Sequence, residues 1–277
     1  MKVRFFTFEQ YHGKNNIGST RLRVHNLIKY WKDAELYKYG EKPDVMIFQK
    51  VYMQVDYKYI KHLDCIKILD MCDADWLDKQ AIKETIDAVD AVTCSSEALT
   101  KFIQQLTDKP VIFIDDRFDM EFVPKPKVHK GKLKKLVYFG YKQNAELLKA
   151  AIPYLQRNKY KLTIISNEDP YLSDGDYEFV KYDEETIYEE LQKHDACLLP
   201  ADTRPVGYFK SNNKTIKANL AGLPVVKTAE DIEEIIEPEK RQSIASMCYN
   251  KAIKSADCKI SIKQYEDLIK ELQNAKA

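Results

Sequence analysis

A chain of 277 residues and 32.3 kDa is long enough to bury a large core without a disulfide scaffold, and has room for one large domain or two smaller ones. Apolar residues make up 44% and charged residues 31%, which excludes wholesale disorder, and no apolar run is long enough to span a bilayer. Lys and Arg total 44 against 43 Asp and Glu, so the net charge of +1 demands no polyanionic partner.

The opening residues, Met1 to His12, hold a short apolar stretch broken at Glu9. That is not a secretory signal, and the expected location is the cytoplasm. Cys65, Cys72, Cys94, Cys197, Cys248 and Cys258 show no C-x-x-C spacing and no companion histidine cluster. This argues against zinc and for small core residues in a reducing compartment.

Lys2–Phe8 is β-branched and aromatic, the pattern of a first strand. Polar residues 11–16 lead to Ile17-Gly18-Ser19-Thr20. Arg21–Trp31 then sets Leu22, His25, Leu27, Ile28 and Trp31 near helical spacing, with Ser19 or Thr20 as the N-cap. Buried-looking strands follow at Asp44–Gln49, Ile66–Leu69, Val89–Cys94 and Pro110–Ile114, and a helix covers Ala98–Leu106. Strands alternating with helices predict a parallel sheet. Val123–Lys135 then changes character, with two prolines, a glycine and six lysines. It reads as a linker whose charges are solvated, in preference to an anion-binding patch.

A second series begins at once. Its strands are Leu136–Phe139, Lys161–Ser166, Glu178–Val180, Ala196–Pro200 and Pro224–Lys227. Its helices are Asn144–Leu155, Asp183–Lys193, Ser211–Ala221, Ala229–Ile236, Arg241–Ile253 and Ile262–Gln273. The expected fold is α/β, with two Rossmann-like parallel-sheet domains at 1–124 and 136–277 joined by a linker at 125–135. Ligands of such folds bind outside the carboxyl ends of the strands, so a cleft between the two sheets is the expected site.

The segment from Phe209 to Val226 carries the most chemistry. Ser211, Asn212 and Asn213 are capping residue types, and the free N–H groups of a helix start favour an anion. Lys210 and Lys214 flank that start. Gly222 suits the left-handed turn that ends a helix. Taken alone, the pattern fits a diphosphate site and an ordinary capped helix equally well.

Lys210–Val226, KSNNKTIKANLAGLPVV, resembles the C-terminal signature of GT-B glycosyltransferases, enzymes that use nucleotide-activated sugars. Leu136-Val-Tyr-Phe-Gly140 followed by Asn144 is similar to the first strand and glycine loop of their donor domain. Asp195-Ala-Cys-Leu-Leu-Pro200 is similar to their late donor-domain strand, and Asp90-Ala-Val-Thr-Cys-Ser-Ser96 to an acceptor-domain segment. The resemblance covers most of the chain from about residue 88 onward. It implies transfer of a sugar from a nucleotide-sugar, first of all a UDP-sugar, to an acceptor hydroxyl. The donor would lie on the C-terminal domain against Gly140, Tyr141, Lys142, Lys210, Ser211, Asn212, Asn213 and Lys214. Tyr182 would stack on the base and Thr186 would bond its edge, although Tyr182 fits a simple strand-end aromatic at least as well. The nucleotide-sugar is a co-substrate, so neither a cofactor nor a metal is expected. One departure stands out. Many retaining members carry two glutamates eight positions apart around this helix, and the matching positions here are Phe209 and Lys217. Their sugar contacts do not carry over, and the stereochemical course stays open.

In the first half, Gly18, Ser19, Arg21 and Arg23 suit a phosphate-bearing acceptor or the donor diphosphate, or equally a helix start with arginines in salt bridges. Asp70-Met-Cys-Asp73-Ala-Asp75-Trp76 clusters three carboxylates. A base for the acceptor hydroxyl is needed near the ligand, with Asp73 the first candidate and Asp70 the second. His12 and His25 are alternatives, although the place of His25 on the apolar helix face points to a packed core histidine. The compact, lysine-rich chain is similar to phage-encoded glycosyltransferases, some of which decorate hydroxymethylated pyrimidines in DNA. Such a base is the leading acceptor, reached in the host cytoplasm. The alternatives are a cell-surface glycan or lipid-linked sugar, and a catalytically silent nucleotide- or sugar-binding protein of the same fold.

Overall fold

The computed structural model describes residues 1–51, 60–74, 82–173 and 175–276. Val3–Thr7 (β1), Ala34–Leu36 (β2), Val45–Gln49 (β3), Ile66–Met71 (β4), Ala91–Cys94 (β5) and Val111–Phe113 (β6) form a parallel sheet in the order β2-β1-β3-β4-β5-β6. Every residue of β3 is buried, as in a sheet covered on both faces. The two-residue period of the strands sorts the core into two layers. Val3, Phe5, Val45, Ile47 and Ile68 pack with Val24, Leu27 and Trp31 on one side. Met46, Phe48, Leu69, Met71 and Val92 pack with Ile86, Leu99 and Ile103 on the other.

Lys135–Phe139 (β7), Lys161–Ser166 (β8), Tyr177–Lys181 (β9), Ala196–Leu198 (β10) and Val225–Val226 (β11) form a second parallel sheet, ordered β11-β10-β7-β8-β9. In each sheet the chain reverses its direction of travel beside the first strand, between β1 and β3 and between β7 and β10. The carboxyl ends of the strands at such a reversal form a crevice.

The chain divides into two compact units, Met1–Met120 with Thr203–Asn212 and Ala256–Ala277, and Glu121–Asp202 with Asn213–Ser255. The expected boundary gave everything beyond residue 135 to the second domain, so two segments are corrected. The last helix, Cys258–Lys276, places Ile262, Tyr265, Leu268, Ile269 and Leu272 in the first unit's core. An amphipathic stripe announces that a helix is buried on one face but not which sheet it covers.

Residues 125–135 are also more than a connector. His129 and Leu133 are buried, and the His129 Nε2–H donates to the Gly222 carbonyl at 2.8 Å. Arg241 donates to His129 Nδ1 at 3.2 Å and to the carbonyls of Gly131, Ile235 and Ile236 at 2.7–2.9 Å. The lysines at 125, 130, 132, 134 and 135 are exposed.

Three local differences matter. The polar stretch after β1 opens with a helical turn, Phe8–His12, closed by a Thr7–Gln10 capping box and ended by Gly13 in the left-handed region. The helix expected at Arg21–Trp31 spans residues 18–28, with a π turn at Arg21–His25 between two short α segments. Neither Ser19 nor Thr20 caps it; the Thr20 hydroxyl donates instead to Gln49 Oε1 at 3.1 Å. The helix expected at Asn144–Leu155 splits into a 3-10 segment, Lys142–Leu148, and a helix, Ile152–Arg157. Pro153 causes the break, because its ring and missing N–H admit it only in a first turn. The six cysteines are free thiols, and burial pushes those of Cys94 and Cys258 up to about 12.

Candidate functional site

In the second unit, Gly140 follows β7 at the β7/β10 reversal with φ at +150°. A Cβ there would come within 3.0 Å of Tyr138 Oη and 3.2 Å of Lys214 Nζ, so the glycine makes room for the ammonium group. Lys214 stands in the first turn of the helix Asn213–Leu220, its Nζ 5.3 Å from the centre of the Tyr138 ring. Cys197 of β10 is near enough that the Lys214 charge opposes the upward push of burial on its thiol. A cation, a helix start and a glycine backbone therefore converge on one strand end. Such a set of groups can neutralise an anion.

Lys217 lies one turn further along the same helix. Its Nζ is 2.8 Å from Glu184 Oε1, 3.3 Å from Tyr182 Oη and over the Tyr188 ring. The Tyr182 hydroxyl in turn donates to Glu184. One of the two positions where the family pattern sets a glutamate thus holds a nearly buried lysine that clamps a carboxylate from the loop after β9. Thr186 is exposed at the start of the helix Ile187–Gln192 and makes no capping bond with its side chain. Tyr141 is half exposed, the Lys142 N–H donates to Asn167 Oδ1 at 3.1 Å, and the Lys142 ammonium pairs with Glu168.

In the first unit the expected residues fall into a different arrangement. Arg23 is buried, and its guanidinium contacts Asp70 at 2.6–3.1 Å, Asp116 Oδ1 at 2.9 Å and the Ile114 carbonyl at 2.7 Å. Burial alone would lower its pKa, but Asp70, aided by Asp116, holds it raised. Asp70 is 0% exposed and also accepts from Thr93 Oγ1 at 2.6 Å and Tyr265 Oη at 2.9 Å. Burial and the neighbouring Asp116 raise Asp115. Arg23 and Asp70 thus form an internal ion pair with both side chains buried. Lys210, Ser211 and Asn212 belong to this unit, and Ser211 Oγ donates to Asp116 Oδ2 at 2.5 Å. Asp73 is partly exposed beyond β4, with its Oδ2 2.7 Å from Lys50 Nζ. Asp75 lies outside the described residues.

An open pocket of about 790 Å³ lies at the carboxyl ends of β1 and β2, lined among others by Thr7, Glu9, Lys14, Arg21, His25 and Leu36. His25 Nε2 is 3.1 Å from Glu9 Oε2, and Glu9 Oε1 accepts the Ile17 N–H at 2.6 Å. The Glu9 side chain is 12% exposed and that of His25 41%. The expectation of a packed core histidine is corrected. A period of 3.6 put His25 on the apolar stripe, but the π turn adds a residue to that turn and carries the ring off it. Gly18 and Ser19 open this helix and are half-buried.

Sequence reasoning gave no role to Glu9, Gln49, Asp116 or Glu184. The Asp115-Asp116 pair at a strand end was the one visible signal; Glu9 meets His25 through a loop whose path no periodicity encodes. Among the described residues, no group of three His, Cys, Asp or Glu side chains is placed to hold a metal ion, and no helix is long and apolar enough to cross a membrane.

No family model matches the chain, and no curated protein matches it in sequence. Solved structures do match. T4 phage BGT, in complex with its UDP-glucose substrate, aligns with a TM-score of 0.60 at 11% identity, over 98% of this chain and 99% of that one. The DNA modifying enzyme beta-glucosyltransferase, solved with and without uridine diphosphoglucose, gives 0.59 at 12% identity over 98% and 99%. TarM of S. aureus, in a complex containing UDP, gives 0.59 at 13% identity over 86% of this chain and 55% of that one, so this chain spans about half its length. The chain therefore has the GT-B fold, two parallel-sheet α/β units of six and five strands.

Proposed function

We propose that this protein is a glycosyltransferase that moves a sugar from a UDP-sugar to an acceptor hydroxyl, with a hydroxymethylated pyrimidine of DNA as the acceptor. The observation that carries the reading is the approach of Lys214 Nζ to Gly140 at the β7/β10 reversal. When the bond from the anomeric carbon to the diphosphate breaks, negative charge builds on the leaving oxygen. A fixed ammonium and a helix start oppose that charge most strongly where water is excluded. Tyr182, whose hydroxyl is held by Glu184 and Lys217, has the flat face to stack on uracil. Similarity over nearly the full length to a DNA modifying enzyme supports the acceptor. A pyrimidine inside a duplex must leave the stack to react.

The test begins with thermal unfolding in UDP, GDP and ADP. A ligand that binds only the folded chain stabilises it by about 2.7 kcal/mol at one hundred times its Kd. UDP is expected to raise the midpoint, and Lys214→Ala to reduce that shift. UDP-glucose with a duplex containing 5-hydroxymethylcytosine is then expected to release UDP and give glucosylated DNA. No shift with any nucleotide at millimolar concentration overturns the donor site. A UDP shift without turnover favours the silent binding protein, and turnover on glycans alone overturns the DNA acceptor.

A further inference from the structure

We infer that the lysine-rich amino end of the second sheet is a binding surface for the phosphodiester backbone of duplex DNA. Lys130, Lys132, Lys134, Lys135 and Lys193, all in the second unit, line an open pocket of about 310 Å³ together with Asp195. The sequence favours a solvated connector here, but the backbone that carries these charges is fixed. Within the stretch His129 and Leu133 are buried, and Arg241 holds the Gly131 carbonyl at 2.7 Å. The carboxylate of the pocket is engaged elsewhere. Asp195 Oδ2 accepts the Lys134 and Lys135 N–H groups, both at 2.9 Å, and Oδ1 stands 3.8 Å from Lys127 Nζ. Lys132 pairs with Glu237 and Lys193 with Glu190, whereas the described residues offer Lys130, Lys134 and Lys135 no carboxylate partner.

The charge continues along the strand ends. Lys135 opens β7 and pairs in register with Lys161, which opens β8, and Arg157 and Lys159 come just before it. Lys193 precedes β10 on the other side of β7, and all of these side chains are exposed. Neighbouring strands lie about 4.8 Å apart, so the row spans about 10 Å across β10, β7 and β8. That exceeds a single phosphate and suits a polymer with one charge per about 1.7 Å of its axis. Like charges gathered this way repel one another until an anion joins them. The ends of the helices Ile152–Arg157 and Ile187–Gln192 account for Arg157 and Lys193, since cations are favoured there, but residues 130–135 belong to no helix. Lysine, glycine and aspartate alone line the pocket, so no apolar side chain in it could enter a lipid interface. Gly140 lies five residues beyond Lys135, about 16 Å along the strand, so this surface and Lys214 stand at opposite ends of one sheet. Backbone contacts here add affinity and carry no sequence preference. Neither the transferase reading nor the acceptor proposed above is needed for it.

The test is binding of an unmodified DNA duplex, followed by fluorescence anisotropy from about 50 to 200 mM salt. Each neutralised phosphate contributes about −0.9 to the slope of log K against log salt, and a slope of about −3 or steeper is expected. Lys130→Gln, Lys134→Gln and Lys135→Gln combined keep the backbone bonds to Asp195. They are expected to flatten the slope by about 2 to 3 and to weaken binding at least about tenfold. Lys227→Gln, Lys251→Gln and Lys254→Gln combined remove the same charge from exposed positions of the same unit and are expected to keep affinity within about twofold. In the unaltered protein, bound duplex is expected to protect Lys130, Lys134 and Lys135 from acetylation. No duplex binding at about 50 mM salt, or an equal loss in both combined variants, overturns the inference. So does binding of vesicles rich in anionic lipid in preference to the duplex. Lysines left unprotected by bound duplex overturn it however the variants fold. A missing UDP shift in the unaltered protein sinks the donor reading and leaves the outcome here unaffected.

Discussion

Asp70, a candidate base in the sequence, is sealed in the fold against a buried arginine. Its carboxylate neutralises a fully buried arginine and satisfies two hydroxyls. Breaking one side of a buried pair leaves an uncompensated charge, which costs about 3–5 kcal/mol. Asp70→Asn is therefore expected to lower stability to urea by that amount while the surviving folded fraction keeps its UDP shift. Unchanged stability with lost transfer would reverse the assignment. Gly222 keeps the helix-ending role its residue type suggests. Its φ is +78°, and a Cβ would stand 2.3 Å from the Lys127 backbone nitrogen. Strain and overlap act together against rigid backbone, so Gly222→Ala is expected to cost more than about 2 kcal/mol in a urea titration.

At the scale of elements, the stretch at 125–135 is held by the His129 imidazole and Arg241, while the His194 ring bonds Glu190 O and Thr163 Oγ1 behind it. Burial, chiefly, pushes His129 and His194 below the ordinary value of 6.5. The bonding agrees with neutral rings, since His129 accepts from Arg241 at Nδ1 and donates to Gly222 O from Nε2. A histidine lowered in the folded state binds fewer protons there than in the unfolded chain, so stability rises with pH across the gap. The urea midpoint is expected to be level above pH 6.5 and to fall below it as these rings charge, with a shallower fall in His129→Gln. Arg241→Ala leaves the carbonyls of Gly131, Ile235 and Ile236 without their donor and is expected to cost about 3 kcal/mol by the same measurement.

At the scale of the whole molecule, the chain leaves its first unit at residue 121 and returns to it at 203–212 and 256–277. The final helix supplies Ile262, Tyr265, Leu268, Ile269 and Leu272 to the first core. Each such burial is worth about 1.5–3 kcal/mol. Together they match the net stability of about 5–15 kcal/mol that a protein has in total. Ending the chain at residue 255 is therefore expected to abolish cooperative unfolding of the first unit, read by circular dichroism on heating.

The sequence by itself determined the class of fold and the strand and helix ends at which the candidate site lies. Short apolar runs separated by helical patterns specify parallel strands, because burial on both faces and the two-residue period act locally. Lys161–Ser166 stands where it was expected. Gly140, Gly222 and Lys214 were legible for the same reason, since each is set by its own strand or helix end. Only the tertiary structure decided the partners of charge and the allegiance of segments. It joined Arg23 to Asp70 and Asp116, Glu184 to Lys217 and Glu9 to His25, and it gave the last helix to the first sheet. Those pairings span 16 to 93 positions, and an ion pair carries no period along the chain that would reveal its partner. The π turn acted likewise, since one added residue in a helical turn moves a histidine from the core side to an open pocket.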